Sequence, residues 1–112
     1  MIEDKLIPEV RHVLMTFHTR GQAILICSGR EAAFRSVTEN WLDKHKVPYD
    51  ALFMRPEKDY RGDDIIKEEI LDNHILPFYT PLCVFDDRKR VKRMWVRRGI
   101  FVFDVNQHDE EF

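Results

Sequence analysis

No stretch of this chain approaches the ~18 to 20 apolar residues that a membrane-spanning helix needs, and the N-terminus has neither a basic leader nor an apolar export segment. Both absences point to a cytoplasmic protein, in the host cytoplasm if the source is viral, with no membrane partner. Cysteine is nearly as scarce. Cys27 and Cys83 both fall in apolar strand-like runs, which suits buried reduced thiols better than a disulfide or a metal pair. His12, His18, His45, His74 and His108 are scattered without the spacing of zinc ligands. There are no repeats, no low-complexity segments and no evident linker. With 112 residues the chain has room for one domain with a real core.

Helical and strand-like patterns alternate along it. Val10, Val13, Leu14 and Phe17 recur at helical spacing, Pro8 suits a first helical position, and Gly21 suits the end, so a helix is expected over 8–20. Ala23 to Cys27 reads as a strand buried on both faces of a parallel sheet. Phe34, Val37, Trp41 and Leu42 give a second amphipathic helix that stops before Val47-Pro48, and Ala51 to Met54 a second strand. Asp63 or Asp64 caps a third helix carrying Ile66, Ile70 and Leu71, which Pro77 ends. Leu82 to Phe85, Arg88 to Arg98 and Ile100 to Val105 follow as strand, helix and strand. Such alternation predicts an α/β fold, a parallel sheet with helices on both faces. The expected domain covers 1–108, and 109–112 form an acidic tail.

Net charge is only −2, but it is unevenly spread. Residues 88–98 hold seven of the eighteen basic residues and no acid, which leaves 11 minus 20, or −9, elsewhere. Arg88, Lys89, Arg90, Lys92, Arg93, Arg97 and Arg98 suit a polyanion contact. They suit equally a solvated helix face with Val91, Met94 and Trp95 turned inward.

Three segments carry groups that handle a phosphate and its metal: Ser28-Gly29-Arg30, Asp63-Asp64-Ile65-Ile66-Lys67 and Asp86-Asp87-Arg88. The first and third stand where apolar runs end, the place where open α/β sheets bind ligands. Each has a plainer reading. Ser28 would N-cap the next helix in an ordinary turn, Lys67 would pair with Asp63 or Asp64 one turn earlier, and Asp86-Asp87 would cap the fourth helix. Their order sets them apart: hydroxyl at one strand end, lysine on a later helix, paired carboxylates at another strand end.

That order, Ser-Gly-Arg, then Asp-Asp-x-x-Lys-Glu-Glu-Ile, then Asp-Asp-Arg, resembles the haloacid dehalogenase superfamily. More narrowly it is similar to the phosphatase domain of bacteriophage polynucleotide kinase/phosphatases. The resemblance runs from about Ile2 to Gln107 and is strongest at Ile24 to Glu31, Arg61 to Ile75 and Phe85 to Gly99. It implies a three-layer, Rossmann-like domain that removes a 3′-phosphate from nucleic-acid ends with Mg²⁺ and an aspartyl-phosphate intermediate. It further implies that Ser28 hydrogen-bonds the transferring phosphoryl group, that Arg30, Arg61 and Arg88 lie at the substrate, and that Lys67 neutralises phosphate and nucleophile charge. By the same resemblance Asp63 orients Lys67, and Asp86 and Asp87 bind or position Mg²⁺. Magnesium takes oxygen ligands and keeps several waters, and phosphoryl transfer depends on positioning and charge stabilisation, so these residue types agree with those roles.

One part of the family's pattern is missing. The family opens with a strand ending Asp-x-Asp-Gly-Thr, whose first Asp attacks phosphorus; here Glu3-Asp4 are followed by no Gly-Thr. In the superfamily that strand is central, between the strands ending at Ser28 and at Asp86. Either those two strands close up into a smaller sheet, or a second chain or a homodimer supplies the strand. Two function classes follow: a Mg²⁺-dependent polynucleotide 3′-phosphatase domain completed by a separately supplied nucleophile strand, or a non-catalytic phosphate- or nucleic-acid-binding or assembly module of the same descent. A receiver-like domain also uses acidic strand ends and a lysine, but its lysine comes late in the chain, whereas Lys67 precedes Asp86-Asp87.

Overall fold

The alternating pattern folds as a small α/β structure in which helices and parallel strands follow one another, and the computed structural model describes residues 6–106. Two compact units divide the chain, Met1–Asp59 and Tyr60–Phe112. The acidic tail expected from Asp109 lies outside the described residues.

In the first unit, α1 spans Pro8–Thr19, β1 Leu25–Glu31, a 3₁₀ turn Ala32–Phe34, α2 Arg35–Lys44 and β2 Ala51–Arg55. Pro8 opens α1 where an amide hydrogen would lack a partner anyway, and Gly21 follows its end at φ 85°, a left-handed conformation that glycine adopts without strain. The expected apolar stripe on α1 is not buried: Val10, Leu14 and Phe17 are half-exposed and Val13 is exposed. Local end signals, more than packing, therefore define this helix.

β1 and β2 pair in parallel, Leu25 opposite Ala51 through Ser28 opposite Met54. Asp50 joins their starts, its carboxylate accepting from the Ile24 amide at 2.7 Å while its own amide donates to the Ile24 carbonyl at 2.7 Å. β1 departs from expectation in two ways. It runs on through Ser28-Gly29-Arg30, so these residues are not a strand-to-helix turn and Ser28 is not a helix N-cap. The pairing slips between Ser28 and Glu31, which makes Gly29 and Arg30 a bulge, and Arg55 Nε donates to the freed Gly29 carbonyl at 2.7 Å. Nor are its residues buried on both faces; all are half-exposed, because among the described residues β1 has one paired neighbour, β2. α2 is also out of phase with the expected stripe. The 3₁₀ turn delays its start to Arg35, so Thr38 and Leu42 are buried while Phe34 and Val37 are exposed.

In the second unit, α3 spans Asp63–Ile70 and continues into a single π turn, Leu71–Ile75; β3 is Val84–Asp86, α4 Lys89–Arg97 and β4 Val102–Asp104. The N-cap of α3 is Gly62 and that of α4 is Arg88, so neither Asp63, Asp64, Asp86 nor Asp87 occupies a cap position as expected. Asp63 and Asp64 instead sit in the first turn of α3, where the helix dipole favours negative charge. Ile66, Ile70 and Leu71 from α3 and its π turn, with Ile75, are buried, as are Val91, Met94 and Trp95 of α4. The inward face expected for α4 is therefore the one observed. β3 and β4 pair in parallel, Asp86 opposite Asp104.

A continuous sheet through β1 and β3 is not formed among the described residues; each belongs to its own two-stranded sheet. Cys27 and Cys83 form no disulfide with one another and are half-buried rather than fully buried. Among the described residues no helix is long and apolar enough to cross a membrane.

Because most of the buried side chains are in the second unit, core damage should be costly there. Leu71→Ala is expected to lower stability by ~2 to 5 kcal/mol, whereas Phe34→Ala on the exposed turn should change it by no more than about 0.5 kcal/mol. Chemical denaturation of both variants checks this.

Candidate functional site

The site is built outward from one carboxylate. Asp86 ends β3 with a side chain 7% exposed, and each of its oxygens meets two donors. Oδ1 accepts from the amides of Asp87 at 2.8 Å and Arg88 at 3.3 Å; Oδ2 accepts from Trp95 Nε1 at 3.1 Å and from Lys67 Nζ at 3.4 Å. These four donors fill the roughly four lone-pair positions of a carboxylate. A buried charge of this kind persists only when paired and hydrogen-bonded.

Lys67 reaches Asp86 from the middle of α3, with its side chain 13% exposed. One of its three ammonium hydrogens is engaged by this pair, which leaves two for an anion. Asp63, expected to orient Lys67, receives the Arg88 guanidinium at 2.5 Å, and it is Asp86 that stands against the ammonium. Asp87 is exposed beside Asp86. Arg61, on the approach to α3, pairs with Glu69, Nη2 to Oε1 at 3.0 Å. Five of the expected residues thus converge: Lys67, Asp86, Asp87, Arg88 and Asp63.

Ser28 and Arg30 belong to the first unit. Ser28 Oγ accepts from the Arg30 amide at 3.1 Å across the bulge, and the Arg30 guanidinium lies 3.4 Å from Thr38 Oγ1 and 6.0 Å from the centre of the Phe34 ring. Ser28 is the last regularly paired residue before the bulge, which takes Arg30 out of the ladder, and the Arg30 side chain is drawn towards α2.

Each oxygen of Asp86 already meets two N–H donors, so a metal there would take the place of one of them. Asp87 offers an exposed carboxylate next to it. Among the described residues no three His, Cys, Asp or Glu side chains converge to hold a metal without oxygens from elsewhere.

The sequence pattern of the polynucleotide kinase PNKP phosphatase domain, a haloacid dehalogenase-type family, matches residues 1–110. The chain belongs to that family. It is 38% identical over 91 residues to a protein of Autographa californica nuclear polyhedrosis virus described as a bifunctional polynucleotide kinase/RNA ligase, a stretch covering 80% of this chain and 13% of the viral protein. Two solved structures of Pnkp1/Rnl/Hen1, one described as an RNA repair complex, contain similar chains. The first has a TM-score of 0.90 at 38% identity, covering 96% of this chain and 35% of that one; the second has 0.88 at 38%, covering 92% and 36%. The chain thus spans about a third of those solved chains and less of the viral relative.

In this phosphatase-type domain the basic stretch after Asp87 is neither a bare polyanion face nor simply solvated. Arg88 pairs with Asp63, Arg90 Nε stands 2.9 Å from Asp64 Oδ1, and Lys92 holds Asp104 at 2.5 Å. Arg97 and Arg98 both hold Glu68, at 2.8 and 2.9 Å, and Arg98 also holds Asp72 at 2.6 Å. The run thus ties α4 to the acidic side of α3 and its π turn, and to β4. Gly62 leaves room for this, since a Cβ there would stand 2.6 Å from Arg90 Nη2. The charge excess read along the sequence is largely cancelled in space.

Trp95 is the member of the site that sequence reasoning treated only as core. A signal was available, because a buried indole N–H needs an acceptor and nothing apolar supplies one.

The acid ladder has a pH consequence. The Arg97 and Arg98 guanidinium groups hold the Glu68 carboxyl below its usual range, Arg98 does the same to Asp72, and Lys92, with the Asn106 amide, does so to Asp104. Carboxylates depressed in the folded state contribute stability above their unfolded pKa and lose it as pH falls through the folded value. Melting temperature is therefore expected to hold at neutral pH and fall as pH drops below about 4. Glu68→Gln should be less stable at pH 7 and show a flatter acid limb, read by thermal melts across the pH range.

Proposed function

We propose that this domain acts on 3′-phosphorylated ends of nucleic acid as a polynucleotide 3′-phosphatase, with the attacking aspartate on a strand supplied from polypeptide outside these residues. The observation that carries the reading is the Lys67 ammonium, held against a buried carboxylate with two hydrogens to spare, beside exposed Asp87. Phosphoryl transfer needs a placed positive charge more than any covalent group from this part of the site. The likeness to chains of an RNA repair complex supports nucleic-acid ends and partner chains as the setting.

In this reading residues 1–108 work as one haloacid dehalogenase-like domain, and the added strand completes the sheet of a three-layer fold by pairing along a strand edge. A second chain or an exchanged element of a homodimer would serve equally well. Lys67 receives the phosphate charge. Ser28, at the edge of the bulge, and Arg30, within it, offer a hydroxyl and a guanidinium to the phosphoryl group and the polynucleotide. Arg88, with Asp63 behind it, and Arg61, with Glu69 behind it, present held guanidinium groups to the backbone. Mg²⁺, when bound, would supply a Lewis acid for the phosphoryl oxygens, with Asp87 as its carboxylate from this chain and Asp86 positioning the neighbouring groups. The cytoplasm, or a viral host's cytoplasm, is the expected setting.

The second reading is a non-catalytic phosphate-binding or assembly module, since the residues at hand include Lys67 and the paired carboxylates but no Asp-x-Asp-Gly-Thr. Phosphate release from a 3′-phosphorylated oligonucleotide with Mg²⁺ separates the two. The chain alone is expected to release none. Fusion to a segment bearing the family's nucleophile strand is expected to release phosphate, and Lys67→Met should reduce that release by at least about 100-fold. Release by the unfused chain that Asp87→Asn abolishes would place a nucleophile within these residues. A folded, fused chain that binds 3′-phosphorylated ends but releases nothing would establish the module reading.

A further inference from the structure

We infer that Trp95 is a positioning residue of this phosphatase site, its indole N–H setting the Asp86 carboxylate so that Oδ2 meets the Lys67 ammonium. The functional meaning of this rests on the reading above; the geometry stands apart from it.

Asp86 Oδ2 meets two donors, Trp95 Nε1 at 3.1 Å and Lys67 Nζ at 3.4 Å. They differ in stiffness. Trp95 is 2% exposed in the core of the second unit, beside buried Val91 and Met94, and its ring has two rotatable bonds that packing fixes. Lys67 is a point charge on a flexible four-carbon stem. The torsion that swings a carboxylate is broad and roughly two-fold, so nothing intrinsic to Asp86 selects one plane. The amides of Asp87 and Arg88 secure Oδ1, and the indole is the rigid donor that secures Oδ2. The plane of the carboxylate is therefore decided by the backbone after β3 and by Trp95, and the lysine settles on the oxygen they leave facing α3.

A purely apolar role would need only the ring. A phenylalanine could supply it, and the buried N–H would be a cost with no return. Here the N–H is spent on the one carboxylate that holds the lysine. The helical position of Trp95 therefore links the core of α4 to the charge at the end of β3.

The test uses the full chain and heteronuclear NMR without substrate. Trp95→Phe keeps an aromatic ring and removes the donor. Exchange of the Lys67 ammonium hydrogens with water is expected to quicken about tenfold in this variant, as for loss of one charged hydrogen bond's worth of order. The Lys92 ammonium, paired with Asp104, serves as the internal reference and should not change. Unchanged Lys67 exchange in a folded Trp95→Phe chain would overturn the inference.

Should that variant fail to fold, Lys67→Met gives the reciprocal reading. The Trp95 indole resonance should move while that of Trp41, in the first unit, stays in place. An unmoved Trp95 resonance would equally overturn the inference. Because neither readout involves phosphate, a chain that passes both, and that neither binds nor dephosphorylates 3′-phosphorylated ends once fused to the nucleophile strand, refutes the functional reading alone.

Discussion

A single carboxylate buried at the end of a strand organises the second unit. Asp86 cannot remain charged beneath the surface without donors, and the four it has come from three different places: the backbone that follows β3, the core face of α4 and the middle of α3. Meeting that need places Lys67, turns the chain into α4 and leaves Asp87 and Arg88 outside. Removing one partner of such a buried pair costs far more than the pair contributes net, so the arrangement behaves as a unit.

Around it, charge compensation does for α4 what the core does for its other face. Val91, Met94 and Trp95 face inward, while Arg88, Arg90, Lys92, Arg97 and Arg98 meet acids on α3, the π turn and β4. Exposed pairs of this sort contribute modestly one by one. As a set they fix which side of α4 meets α3 and draw most of the local positive charge inward. Any anion arriving here meets guanidinium groups already placed by carboxylates, not a loose basic tail.

The first unit is less packed. Among the described residues β1 pairs with β2 alone, the residues of β1 are half-exposed, and α1 buries none of its side chains. Such a unit buries few side chains of its own, and its stability rests less on a core than that of the second unit does. The bulge after Ser28 suits that setting, because a slipped register re-aims side chains at the end of a strand.

Element order, parallel pairing, the inward stripe of α4 and the buried Ile66, Ile70 and Leu71 follow from periodicity and end signals, since these are local properties that a helix or strand carries wherever it packs. Pro8 and Gly21 bound α1 for the same reason. The residues proposed for the site were singled out by their types and order along the chain. What only the tertiary structure decided were partners and phase. A 3₁₀ turn shifted the buried face of α2, and a bulge absorbed Ser28-Gly29-Arg30 into a strand. Asp86 took Lys67 while Asp63 took Arg88, and acids up to 30 residues distant took up most of the basic run. Each of these turns on which donor reaches which acceptor once the chain has folded, and spacing along the sequence does not encode that distance.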